Sequence, residues 1–283
     1  MAAAARAAHL IVDGAPTIFT DPLAEVLLGE QAETLLSYHR NHGNHLVLAG
    51  ARTQVTLRSR FTEGRVADAA ARGVGQYVIL GAGLDSFAYR NGSDGSDGSP
   101  MTVFEVDHPA SQEWKRACLA EAGVTIGDNV AHVPVNLETE ALLEPLIRAG
   151  FDTSRPAVVG WLGVTMYLTR PAIAATLATI GSLAPGTEIV TDYKLTPELR
   201  DERGQTYVDL VAPNSAERGE PWLSFFTPDD MSQLLAEHGF TGIQHLRQRD
   251  WSDELWRRDD ALCPTDLSVL ICATTGQSMS GGG

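Results

Sequence analysis

From Gln76 onward the chain alternates between two hydrophobic rhythms. Short apolar runs, the mark of buried strands, occur at Tyr77–Leu80 (YVIL), Met101–Val106 (MTVFEV), Asn129–Asn136, Ala157–Leu162 (AVVGWL), Thr187–Tyr193, Thr241–Arg247 and Leu267–Thr274. Between them lie segments of helical spacing. Leu84–Tyr89 begins a crossover helix, followed by Ala110–Ala122, Glu138–Ala149, Arg170–Ala184 and Pro228–His238. Pro185-Gly186 closes the fourth of these, and Thr227 and Gly239 cap the fifth. Strands and helices taking turns predict an α/β, Rossmann-like fold: a mostly parallel seven-stranded sheet with helices on both faces.

Residues 1–75 read differently, as a helical segment packing over the ligand end of the sheet. Asp21-Pro22 opens a helix with an apolar stripe at Leu23, Val26, Leu27 and Leu28. Ala51–Arg72 is a second, long helix carrying Arg52, Arg58, Arg60, Arg65 and Arg72. Such arginines ordinarily form a solvated face. A helix running into the central strand can also place one over that strand's carboxyl end, where it would hold an anionic group. The polar helical stretch Thr196–Glu220 leads into the aromatic run Trp222-Leu223-Ser224-Phe225-Phe226, and predicts a cap inserted at about 195–226. The core then spans 76–275, with a low-complexity loop at Asn91–Pro100 (NGSDGSDGSP) and a disordered tail at 276–283.

Composition narrows the function classes. With 43% hydrophobic and 20% charged residues, the 283-residue chain is that of a soluble globular protein. A net charge of −15 excludes non-specific nucleic-acid binding and attachment to an anionic membrane surface, which both select basic faces. No apolar run is long enough to span a bilayer, and Asp13 interrupts the Ala-rich start too soon for a secretory signal. Cys118, Cys263 and Cys272 lack metal-ligand spacing and suit reduced thiols in a cytoplasm. His39, His42 and His45 could share a helix face, but Asn41, Gly43 and Asn44 break it; solvated loop histidines are expected, and no metal.

The candidate chemistry centres on Gly81-Ala82-Gly83, directly after the first strand. Glycines there allow a sharp turn and close approach of a ligand to the backbone. An acid ending the second strand, Glu105 or Asp107, suits a ribose diol because a carboxylate accepts from both hydroxyls. A nicotinamide cofactor would want a third glycine where Ser86 stands, and Asp85 would repel its diphosphate. Both points favour a cationic adenosine ligand without phosphate, S-adenosylmethionine.

The segments LGAGLDSFAYR, FEVDHP with Lys115-Arg116, and WLGVTMYL resemble the leucine carboxyl methyltransferase superfamily. More closely they are similar to its bacterial S-adenosylmethionine-dependent O-methyltransferases of actinobacterial secondary metabolism. The resemblance runs from about Arg6 to GEPWLSFF and implies a class I methyltransferase. It implies that Arg58 grips the methionine carboxylate, that Gly81 and Gly83 form the cofactor turn, and that Asp107 binds ribose. Asn136-Leu137 falls where the family often has Asp-Leu beside adenine, and the Asn136 amide oxygen can still accept from an amine. Leu162 lies where eukaryotic members carry a glutamate near the cofactor's amino-acid end; Asp85 or a main-chain carbonyl takes its place. Arg6 matches a basic residue of the N-terminal segment.

Methyl transfer from a sulfonium needs alignment and exclusion of water more than acid–base groups. A carboxylate acceptor is already ionised, whereas a hydroxyl would need a base, for which His108 and His132 are the candidates. The expected activity is O-methylation of a small-molecule carboxylate or hydroxyl, in a pocket shaped by Trp161, Tyr167, Tyr193, Trp222 and Phe225. The alternative is a methyltransferase fold repurposed as a binding module or non-methylating catalyst.

Overall fold

A computed structural model of the chain describes residues 1–90, 101–251, 255–256 and 261–276. The Ser-Asp-Gly loop and the tail predicted beyond residue 276 lie outside the described residues. The chain opens with helices α1 (Ala2–Val12), α2 (Leu23–Val26), α3 (Ala32–His42) and α4 (Leu46–Ala71). There follow β1 (Gln76–Leu80), α5 (Phe87–Arg90), β2 (Thr102–Asp107), α6 (Pro109–Glu121), β3 (Val130–Pro134), α7 (Leu143–Arg148) and β4 (Val158–Trp161). The chain continues through α8 (Arg170–Gly181), β5 (Glu188–Lys194), α9 (Glu202–Glu217), α10 (Pro228–Glu237), β6 (Phe240–Arg247) and β7 (Ser268–Thr275). The strands form one sheet in the order β3-β2-β1-β4-β5-β7-β6, parallel except that β7 runs antiparallel to β5 and β6. Strand order reverses between β1 and β4, so their carboxyl ends flank the crevice where such sheets bind ligands.

Two apolar layers cover the sheet. One face of β1, β2, β4 and β5 packs against Ile173 and Leu177 of α8 and Met231 and Leu235 of α10. The other face meets Val66 and Ala69 of α4 through Tyr77, Ile79, Val103 and Val158. The crossover helix expected over Leu84–Tyr89 shrinks to α5 because the glycine turn continues, with Asp85 N–H bonded to the Ala82 carbonyl at 2.7 Å. The helix expected over Glu138–Ala149 begins only at Leu143, since Asn136 Oδ1 accepts from Glu138 N–H and holds a turn.

Helix α4 lies along β5 by a ladder of polar contacts rather than an apolar stripe. Alternation points Glu188, Asp192 and Lys194 of β5 toward α4. Arg65 forks onto Glu188 at 2.5 and 2.9 Å, with Arg72 3.5 Å away. Arg58 lies 3.5 Å from Asp192, and Gln54 Oε1 accepts from Lys194 Nζ at 2.7 Å. Arg52, a turn earlier, is buried and chelates Asp13 at 2.7 and 3.0 Å. The solvated arginine face expected of this helix is thus largely engaged in ion pairs.

The three histidines also part company. His39 is buried with Nδ1 3.1 Å from Arg52, and burial pushes its pKa down to about 4, so it is not the solvated residue expected. His45 caps α4 by accepting from Val47 N–H, and His42 is exposed.

Candidate active site

The glycine turn is pinned to the second strand: the N–H groups of Gly81 and Ala82 both donate to the Val106 carbonyl, at 2.8 and 3.1 Å. Gly81 has φ +69°, and a Cβ there would sit 2.3 Å from Val164 Cγ2, so backbone conformation and space both demand glycine. Asp107, at the end of β2, accepts from Gly83 N–H at 2.5 Å and from His108 N–H at 2.6 Å. Two backbone donors fix a half-exposed carboxylate beside the turn and leave its remaining lone pairs for a ligand's hydroxyls.

Glu105 is corrected by the structure. It shares a face of β2 with Asp107 but lies two residues deeper, 1% exposed, where Lys115 holds it at 2.7 Å and Tyr89 Oη donates at 2.9 Å. Its carboxylate anchors α6 and α5 on the sheet, and Asp107 alone reaches the turn. His132 joins that buried group through Tyr89 Oη at 3.2 Å, and His108 caps α6 by accepting from Ala110 N–H. Both candidate bases therefore serve the scaffold.

Across the crevice, the Arg58 guanidinium rests on Gly163, whose φ is +70°; a Cβ at that position would lie 2.3–2.6 Å from guanidinium atoms. Asp192, at the end of β5, accepts from Gly163 N–H at 2.5 Å and faces Arg58 Nη1 at 3.5 Å. Sequence reasoning missed Asp192, the acid that accepts from Gly163 N–H beside Leu162, the position where the resemblance implies a glutamate in eukaryotic members. Asp85, the substitute expected there, instead accepts from Phe87 N–H at 2.8 Å and opens α5. Asn136 spends one lone pair of its amide oxygen on Glu138 N–H at 3.0 Å, and Leu137 packs on the core.

The N-terminal helices tie down the loop behind the turn. Arg6 donates to Asp21 at 2.7 Å and to the Leu84 carbonyl at 2.6 Å. Asp21, buried, also accepts from Ser86 Oγ at 2.7 Å and from the first N–H groups of α2. Arg90 extends this group to Glu63 of α4.

Of the aromatic residues expected around an acceptor, Trp161 and Tyr193 are corrected. Both are at most 1% exposed inside the core, and Tyr193 Oη bonds His245 Nδ1 at 2.9 Å. Their strands, β4 and β5, are covered on both faces, so an aromatic there packs rather than lines a crevice. Tyr167, Trp222 and Phe225 are half-buried. The segment holding the last two is stapled down: Leu223 and Ser224 N–H groups donate to the Met166 carbonyl at 2.6 and 3.3 Å, and Ser224 Oγ donates to the Leu168 carbonyl. Tyr207 of α9 packs over Gly50, and burial pushes its hydroxyl up to about 12, with Tyr167 and Arg58 among its electrostatic neighbours. A separate recess of about 560 Å³ runs along edge strand β3, and neither the glycine turn nor Asp107 lines it.

This strand order, with a glycine turn and acid at the crevice, defines the class I methyltransferase architecture, and solved structures bear out the fold. A methyltransferase-titled structure from Thermobifida fusca aligns with TM-score 0.59 at 20% identity, covering 89% of this chain and 92% of that one. A DUF574 family protein from Streptomyces avermitilis gives 0.59 at 16% identity, covering 96% of each. A Bacillus subtilis relative, provisionally named an S-adenosyl-L-methionine-dependent methyltransferase, is 34% identical over 64% of this chain and 59% of its own length. One of the same provisional name from Mycolicibacterium paratuberculosis is 31% identical over 86% of this chain and 85% of its own. The leucine carboxyl methyltransferase family model matches residues 1–181, and the chain belongs to that family.

The donor set suits the family's cofactor, S-adenosylmethionine. A carboxylate stands for the ribose diol, an arginine with unspent donors for the methionine carboxylate, and Asp192 for positive charge. Asp107→Ala is expected to weaken S-adenosylhomocysteine binding by about 1.5–3 kcal/mol, measured by calorimetry, the range for hydrogen bonds to a charged group. Glu105→Gln is expected to leave that affinity within about twofold, separating the two acids.

Proposed function

We propose that the chain transfers a methyl group from S-adenosylmethionine to an oxygen, carboxylate or hydroxyl, of a small-molecule metabolite in the cytoplasm. The cofactor supplies an electrophilic methyl group. Asp107 and the Gly81–Gly83 backbone hold its nucleoside end, and Arg58 beside Asp192 orients its amino-acid end. Tyr167, Tyr207, Trp222 and Phe225 wall the acceptor side and exclude water beneath the cap. The observation that bears on the acceptor is that both candidate imidazoles are bound into the scaffold, His108 as a helix cap and His132 beside Tyr89. An acceptor that arrives ionised needs neither, which favours a carboxylate over a hydroxyl.

The test has two stages. Calorimetry with S-adenosylmethionine is expected to show saturable binding, and its absence at high micromolar cofactor would sink the methyltransferase reading. S-adenosylhomocysteine release is then followed over a panel of small carboxylic acids and phenols. Mass analysis before and after mild base distinguishes a labile methyl ester from a stable ether. Cofactor binding without turnover across the panel would favour a binding module.

A further inference from the structure

The α4–β5 ladder changes character at its last rung. At Glu188 and Asp192 the strand supplies an anion and the helix an arginine. At Lys194 the strand supplies a cation, and the helix offers only the neutral amide of Gln54. Lys194 is 3% exposed, and among the described residues no carboxylate lies within 4 Å of its ammonium. Its protons go to Gln54 Oε1 at 2.7 Å, to Ser268 Oγ at 2.6 Å, and toward the Trp222 ring, whose centroid is 5.5 Å away. All three partners suit an ammonium, since a lone pair facing the π-cloud would be repelled. Burial pulls Lys194 down to about 8 against the pull of Asp192, with Arg58 and Arg200 pushing the same way as burial. A buried cation that must share Asp192 with Arg58 is costly and gains from a further anionic partner.

The surrounding groups point the same way. Arg200 donates to the Leu195 carbonyl at 2.9 Å and to Gln205 at 3.0 Å, and stacks on Phe225 at 4.8 Å, yet among the described residues its buried Nη2 has no hydrogen-bond partner. The Trp222 indole N–H, on the ring that covers Lys194, is buried and, among the described residues, makes no hydrogen bond of ordinary geometry, with the Tyr167 hydroxyl as a polar neighbour. Arg58 and Lys194 thus share one carboxylate, Asp192, while Arg200 has Asp209 and Glu198 as its acidic neighbours. If the cofactor's carboxylate takes Arg58, two cations and an indole donor remain beneath the cap.

We propose that Lys194, with Arg200 and the Trp222 N–H, forms an anion subsite that holds a carboxylate of the acceptor and so determines specificity. Identifying its ligand as the acceptor rests on the methyltransferase reading; the anion preference itself does not. The full chain, with and without saturating S-adenosylhomocysteine, would be titrated calorimetrically with benzoate, phenylacetate, 4-hydroxybenzoate and octanoate, each against its uncharged amide. At least one acid is expected to bind about tenfold or more tighter than its amide, as for a gained charged hydrogen bond. Lys194→Met is expected to shrink that preference to about twofold or less while leaving S-adenosylhomocysteine affinity unchanged. Its melting temperature is expected to match or exceed wild type, because a buried unpaired charge gives way to an apolar chain of similar length.

Arg200→Gln, at a residue further from the sheet, is expected to reduce the preference in part and decides the matter if the lysine variant does not fold. The proposal is overturned if no acid is preferred, or if the preference survives Lys194→Met. It is also overturned if that variant loses cofactor affinity in step with acid binding. Acid preference in a protein that fails to bind S-adenosylhomocysteine would instead keep the subsite and remove the methyltransferase reading.

Discussion

Arg58→Ala is expected to weaken S-adenosylmethionine binding about thirtyfold or more, roughly 2 kcal/mol, the scale of a lost charged partner. The side chain is 14% exposed and stands 3.5 Å from Asp192, beyond close hydrogen-bond range, so its fork can still take a second carboxylate. Asp192 keeps its hydrogen bond from Gly163 N–H, so the loss should fall on the cofactor more than on the fold. Arg58→Lys separates charge from fork geometry and is expected to recover part of the affinity. Calorimetry with cofactor and product reads both variants. An unchanged dissociation constant in the alanine variant would show that the methionine carboxylate is held elsewhere.

Lys115→Met is expected to cost about 3–5 kcal/mol of folding stability, the loss typical of a buried ion pair broken on one side. Glu105 and Lys115 are each 1% exposed and 2.7 Å apart, with Tyr89 Oη the carboxylate's other donor. Burial already pushes the Glu105 carboxyl upward against the pull of Lys115. Without the lysine the acid would take up a proton at neutral pH, which holds the loss toward the lower end. The double variant Lys115→Met, Glu105→Leu removes both charges and is expected to regain most of the stability. Urea unfolding of the single and double variants decides this, and equal midpoints would show that the pair is not coupled.

The sheet was legible because its strands are short apolar runs separated by helical spacing, and period alone carries that signal. The glycine turn was legible because its neighbours, Asp85 and Ser86, exclude the commonest alternative ligand. Glu105 and Asp107 could not be told apart from sequence. Two residues apart on one strand they share a face, and only depth, set by where Lys115 lands, separates a core ion from a site residue. Trp161 and Tyr193 were misjudged for a related reason: an aromatic near a strand's carboxyl end can face the core or the crevice. Asp192 and Lys194 stand in the run TEIVTDYK, whose alternation does send both toward one side. What lay beyond reach was that α4, more than a hundred residues earlier, would present an arginine to one and a neutral amide to the other.

The carbonyl of Met166 receives two N–H groups from the return segment that carries Trp222 and Phe225, and it follows directly on the loop of Leu162–Val164. One peptide oxygen therefore ties the segment bearing Trp222 and Phe225 to the loop that supports Arg58 through Gly163. Changing the length of residues 220–226 would disturb both together. Altering the identity of Trp222 or Phe225 alone would reshape that segment while leaving the loop in place. If the proposed acceptor pocket lies there, its shape can change by side-chain replacement on a constant frame, and re-engineering would begin at those two rings.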